Sequence, residues 1–138
     1  MASSRRVALI AREIRERLSP AGFDLLLRGA SRISEGQAQG ARYDGSTMIT
    51  FDLEAARSEV RERCDVATAA HLARLLEREA ALLARLRELA IGEARRIAGR
   101  PLYKLEADLR VRVEGCRVFV DIDVEGELSS AAATGPLR

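Results

Sequence analysis

Four residues around one turn have the types and spacing to hold a nucleic acid. Arg110, Arg112 and Arg117 flank Glu114-Gly115, and Phe119 is the one aromatic among charged neighbours of the same parity. On an open sheet, guanidinium groups meet phosphates and an exposed ring stacks on a base for ~1–3 kcal/mol. Arg28 and Arg32, read onto the non-core side of a bordering strand, extend that patch. The same face carries Glu106, Asp108, Asp121, Asp123 and Glu125. These repel a phosphate backbone and suit cross-strand pairing with arginine instead. Asp121-x-Asp123-x-Glu125 spaces its carboxylates ~6.8 Å per step along a strand, too far apart to converge on one cation.

Other reactive types lack companions. His71 is the single imidazole, with no Glu three or four residues before it, so the paired carboxylate and histidine of helical metal sites are missing. No nucleophile, base and orienting group fall into a triad. Gly36, Gly40 and Gly45 are too widely spaced for a dinucleotide turn and lack the trailing Lys-Ser/Thr of a phosphate loop. The segment Glu35–Gly45 reads as a surface loop, from which Arg42 and Tyr43 can meet a ligand. These absences imply no cofactor, no metal and no enzyme, and a protein that acts by binding.

The elements that position these residues follow from periodicity. Val7, Ile10, Ile14 and Leu18 make an apolar stripe on a helix over Ser4–Leu18, stopped by Ser19-Pro20. Phe23–Ile33 reads as a strand with Phe23, Leu25, Leu27 and Ile33 on one face, and Ser46–Phe51 as a short strand pairing back. Asp52 caps a helix to Cys64, and a longer helical pattern spans Val66–Ala98. The apolar stripes of these two helical patterns point ~90° apart at 100° per residue, which requires a bend near Cys64–Thr68. From Tyr103 to Val113 the odd positions are apolar; after Gly115 the even ones are, from Cys116 to Val124. A parity flip about a glycine turn is what an antiparallel hairpin with one buried face requires. The expected fold is α+β: about four antiparallel strands in the order α-β-β-α-α-β-β, with helices on one face.

A continuous helix over 66–98 is ~50 Å long, whereas an 11-residue strand spans ~36 Å. Its apolar arc (Leu72, Leu75, Leu76, Leu82, Leu83, Leu86, Leu89) is wide enough to face both the sheet and the same helix of a second chain. A homodimer built on this helix is therefore expected. Glu79 and Glu93 fall on the same arc, where a carboxylate needs an arginine of another element or subunit.

The whole chain has 138 residues, a net charge of +2 and 47% hydrophobic residues, which suits one domain over 1–128 with a frayed tail over 129–138. No apolar run reaches the length of a membrane span, and Arg12, Glu13 and Arg15 break any signal-like stretch. A cytoplasmic protein with Cys64 and Cys116 as free thiols is the expectation. All but Lys104 of the 23 basic residues are Arg, and Asn is absent. Most of these arginines neighbour Glu on helices, so the skew suits a GC-rich genome or heat adaptation more than nucleic-acid binding.

Overall fold

The computed structural model describes residues 2–16, 18–53 and 66–129. Along them run α1 (Ala2–Glu16), α2 (Pro20–Gly29), β1 (Ser31–Gln39), β2 (Arg42–Asp52), α3 (Val66–Arg78), α4 (Ala80–Ala98), β3 (Leu102–Glu114) and β4 (Arg117–Leu128). The strands make one sheet in the order β1-β2-β4-β3, and the class is α+β. Leu128 N–H donates to the Ala41 carbonyl at 2.7 Å and Leu53 N–H to the Cys116 carbonyl at 3.0 Å. These two bonds make β2 and β4 antiparallel and set Asp52 beside Arg117 and Asp44 beside Glu125.

Contacts group the chain into two compact units. The first comprises Met1–Ser31, Ile49–Leu83 and Val111–Val120. Here α1 packs on α2 and α3. Ile14, Leu72, Leu76 and Val118 are wholly buried, and Phe23 meets Phe51 with ring centroids 6.3 Å apart, tilted at 40°. The second comprises Arg32–Met48, Ala84–Arg110 and Asp121–Arg138, with Tyr43, Leu86, Ile122 and Val124 at its centre.

Several expectations are corrected. The segment Phe23–Ile33 is not a strand. Ser19 accepts from Gly22 N–H at 3.0 Å as the N-cap and Pro20 opens the helix, so the pair read as a stop is a start. Phe23 and Leu26 are then buried at helical spacing, and Ile33, in β1, is 62% exposed. The order of described elements therefore opens with two helices. The expected loop Glu35–Gly45 is a hairpin whose turn is Gly40-Ala41, and the short strand Ser46–Phe51 is part of the longer β2. Asp52 is the last residue of β2. The rest of the helix expected to begin there, and the bend at Cys64, lie outside the described residues, as does the tail beyond Ser129.

The long helical pattern, expected to be continuous over 66–98, divides at Glu79. The i to i−4 bonding continues across the break, from Glu79 N–H to Leu75 and from Leu83 N–H to Glu79. Glu79 itself is exposed, not turned into the apolar arc.

The β3–β4 hairpin forms where the parity flip places it, with one change. Lys104 pairs with Glu127, yet Ser129 N–H bonds Pro101, so Leu102 and Tyr103 together oppose Leu128 alone. This is a β-bulge, and Lys104 takes a left-handed φ of 52° within it. The bulge throws Tyr103 off the apolar face, where it is 55% exposed.

Candidate functional site

The face of β3 and β4 opposite the core carries the arginine and aromatic residues. Gly115 adopts φ 61° at the first position of a two-residue turn, the backbone that a II′ hairpin needs. That turn sets Arg112 directly opposite Phe119, and the Arg112 guanidinium lies 4.2 Å over the ring centroid. A cation on the ring face is favourable and occupies the surface on which a base would stack. The remaining charges are also taken. Arg112 bonds Glu114, Arg117 Nε lies 3.4 Å from Asp52, and Arg110 Nη2 lies 2.9 Å from Asp123.

The other two arginines of the expected patch are elsewhere. Arg28 lies in the last turn of α2, and β1, which carries Arg32, borders β2 rather than the β3–β4 hairpin. Arg32 shares the parity of Ser34, on the side where Ser34 bonds Thr47 at 3.0 Å and interacts with Glu93. Arg28 and Arg32 therefore do not extend the open face of Arg110, Arg112, Arg117 and Phe119.

On β1 and β2 the open face holds a recess of about 470 Å³ lined by Glu35, Gly36, Gln37, Asp44, Gly45, Ser46 and Asp123. Among the described residues no group of three or more His, Cys, Asp or Glu is placed to hold a metal ion. Neither Arg42 nor Tyr43 reaches over this recess as a free ligand. Arg42 pairs with Glu125 at 3.5 Å, and Tyr43 is buried on the other side, its ring against Gly36 and Gly45. Burial there pushes the Tyr43 hydroxyl above its ordinary pKa, helped by Asp44 and opposed by Arg96.

Sequence reasoning missed the partnership of Tyr43 with Gly36 and Gly45. A signal existed: the two glycines and Tyr43 fall on one face of a hairpin that turns at Gly40-Ala41.

Glu93 does find an arginine, but on its own helix: Arg96 Nη2 donates to it at 2.9 Å. That bond lowers the Glu93 pKa against the opposing effect of burial, and Ser34 and Arg32 add to the lowering. His71 is half-buried with Arg74 3.5 Å from its Nδ1, and no metal-ligand set surrounds it among the described residues. Cys116 is disulfide-bonded, which corrects the expectation of free thiols. The chain's other cysteine, Cys64, lies outside the described residues.

Of the leucines expected at a helical dimer seam, Leu72, Leu76, Leu82 and Leu86 are buried within the chain itself. Leu75, Leu83 and Leu89 are half-buried. Among the described residues no helix is long and apolar enough to cross a membrane.

β3 is an edge strand whose apolar side is only partly covered. Leu105, Ala107, Leu109 and Val111 are half-buried and Val113 is 37% exposed, whereas the matching row of β4 (Val118, Val120, Ile122, Val124) is at most 1% exposed. No protein-family model matches the chain, and no curated protein or solved structure is significantly similar to it.

Proposed function

We propose that the protein works by binding another protein, beginning with a second copy of itself, and not by catalysing a reaction. The observation that carries this reading is the partly covered apolar row of β3 on an open sheet edge. An edge strand presents a line of unpaired backbone donors and acceptors, and adjoining apolar surface adds to its tendency to pair. Sedimentation of the full chain across micromolar concentrations is the direct test. A concentration-dependent dimer is expected, and a monomer at the highest concentration would remove the reading.

Binding of single-stranded nucleic acid through Arg110, Arg112, Arg117 and Phe119 has less support. Its cations face carboxylates and its ring is capped by Arg112. A salt titration with a mixed-sequence oligonucleotide decides it, because phosphate contacts make affinity fall steeply with salt. A cytoplasmic place of action loses one support, since a reducing cytosol keeps bonds such as that of Cys116 open.

A further inference from the structure

Resting on the reading of self-association, we propose that β3 pairs antiparallel with β3 of a second copy in one register, Leu109 opposite the partner's Leu109. The two-residue turn Gly115-Cys116 makes Glu114 and Arg117 a hydrogen-bonded pair, so the even-numbered backbone groups of β3 face β4. The N–H and C=O groups of the odd residues from Leu105 to Val113 then point to the open edge. A second strand bonds them only in registers that set odd residues opposite odd ones. The bulge at Lys104 limits the regular stretch at its start.

Charge selects among those registers. With Leu109 on the symmetry axis, Asp108 meets the partner's Arg110, Glu106 meets the partner's Arg112, and Lys104 meets the partner's Glu114. Every charged position of β3 faces the opposite sign. Sliding the strand by two residues one way puts Lys104 opposite the partner's Arg112 and Asp108 opposite its own copy. Sliding it the other way puts Glu106 opposite the partner's Glu114 and Arg110 opposite its own copy. The charged residues occupy the non-hydrogen-bonded pairs, where side chains come closest and sign matters most.

Conditions within the chain point the same way. The hairpin register sets Asp108 opposite Asp123 and Glu106 opposite Glu125, an unfavourable arrangement of like charges. Asp123 and Glu125 have arginine neighbours, while Glu106 and Asp108 have no ion pair among the described residues. Arg110 and Arg112 of the partner would supply the missing counter-charges. On the other face, the half-covered row Leu105, Ala107, Leu109, Val111 and Val113 continues into its own copy.

Arg110→Asp and Asp108→Arg, made in separate chains, test this by sedimentation and by exchange between differently tagged chains. Each variant alone creates two like-charge pairs in its own dimer and is expected to weaken association by about tenfold or more. Mixed in equal amounts, the two variants restore opposite signs at both pairs and dimerise like the parent chain. All four residues involved are exposed, and circular dichroism melts confirm that each variant is folded. A parent dimer with both variants unaffected overturns the proposal and leaves self-association through another surface. Weak variants that fail to rescue each other overturn the register. A parent chain that stays monomeric overturns both the proposal and the reading beneath it.

Discussion

The sheet is made of two hairpins that share a turn and differ in what holds them. Each reverses through two residues with a glycine first, Gly40 at φ 62° and Gly115 at φ 61°. In β3–β4, burial is spread along a row of branched side chains, from Val118 to Val124 at every second position. In β1–β2, β2 also buries Thr47, Ile49 and Phe51 at every second position, but toward its turn the burial rests on Tyr43. Its ring fills the space above Gly36 and Gly45 that side chains would otherwise occupy, with the Ser34–Thr47 bond further along. An aromatic laid over glycines restores the contacts that glycine lacks, and it makes the turn end of the hairpin depend on one residue. Distributed burial tolerates single losses; concentrated burial does not.

The largest expected effect follows directly. Tyr43→Ala removes a buried aromatic and uncovers two glycines, so a loss of ~3–5 kcal/mol is expected from urea unfolding. Leu109→Ala, on the half-buried row of β3, is expected to cost roughly 1 kcal/mol, about half the value of a fully buried aliphatic side chain. Equal losses for the two variants would end the distinction between the hairpins.

Glycine substitutions sharpen it at a smaller scale. A Cβ on Gly45 would sit against the Tyr43 ring and 2.8 Å from the Glu35 carbonyl oxygen, and that backbone atom cannot swing aside. Overpacking of this kind costs ~1–3 kcal/mol. Gly40→Ala and Gly115→Ala meet no neighbour within 4 Å and incur only the left-handed backbone penalty, ~1–2 kcal/mol. Thermal melts should therefore show the two turn variants close to each other, with Gly45→Ala at least as damaging. Clearly unequal turn variants would mean that the turns, and not only the packing, distinguish the hairpins.

The same contrast explains what could be read from the chain. β3–β4 is written in alternation, a period that only a half-buried strand produces, and its parity flip located the turn. β1 places Ser34, Gly36 and Ala38 on its covered side, and Gly45 interrupts that of β2, so a hydrophobic period is present only in the second half of β2, where Ser46–Phe51 reads as a strand. The information is carried by complementarity between Tyr43 and absent side chains, which a hydrophobic period does not record. α2 misled for another reason: apolar residues at 23, 25, 26 and 27 fit both periods, and only the Ser19-Pro20 cap decides between them. Arg110, Arg112, Arg117 and Phe119 fall on one hairpin, as the parity flip requires. Arg28 and Arg32 lie elsewhere, because their expected place depended on the misread strand. The neutralising partners Asp52 and Asp123 come from a neighbouring strand and a diagonal neighbour, relations that a register reveals and a periodicity does not.

The subtlest difference is in acid. Beside the Tyr43 hairpin, Glu93 accepts from Arg96 and interacts with Ser34 of β1, and the Arg96 bond is the main reason its folded pKa lies below the ordinary carboxylate value. The unfolded chain then binds the proton more readily than the folded one. The stabilisation is fully present above about pH 4.5, the ordinary value, and is lost as pH falls through the lower folded value. Glu93→Gln cannot take part in that titration, so its melting temperature should fall less than that of the parent chain between pH 6 and pH 3. The size is small, because the Arg96 side chain is 66% exposed and exposed pairs contribute little. Tyr43 gives the opposite sign: its raised pKa preserves stability up to about pH 10 and loses it above. Parallel acid limbs for the parent and Glu93→Gln would mean that Glu93 adds nothing to the Tyr43 side of the sheet, leaving the ring over its two glycines to hold the turn end of that hairpin.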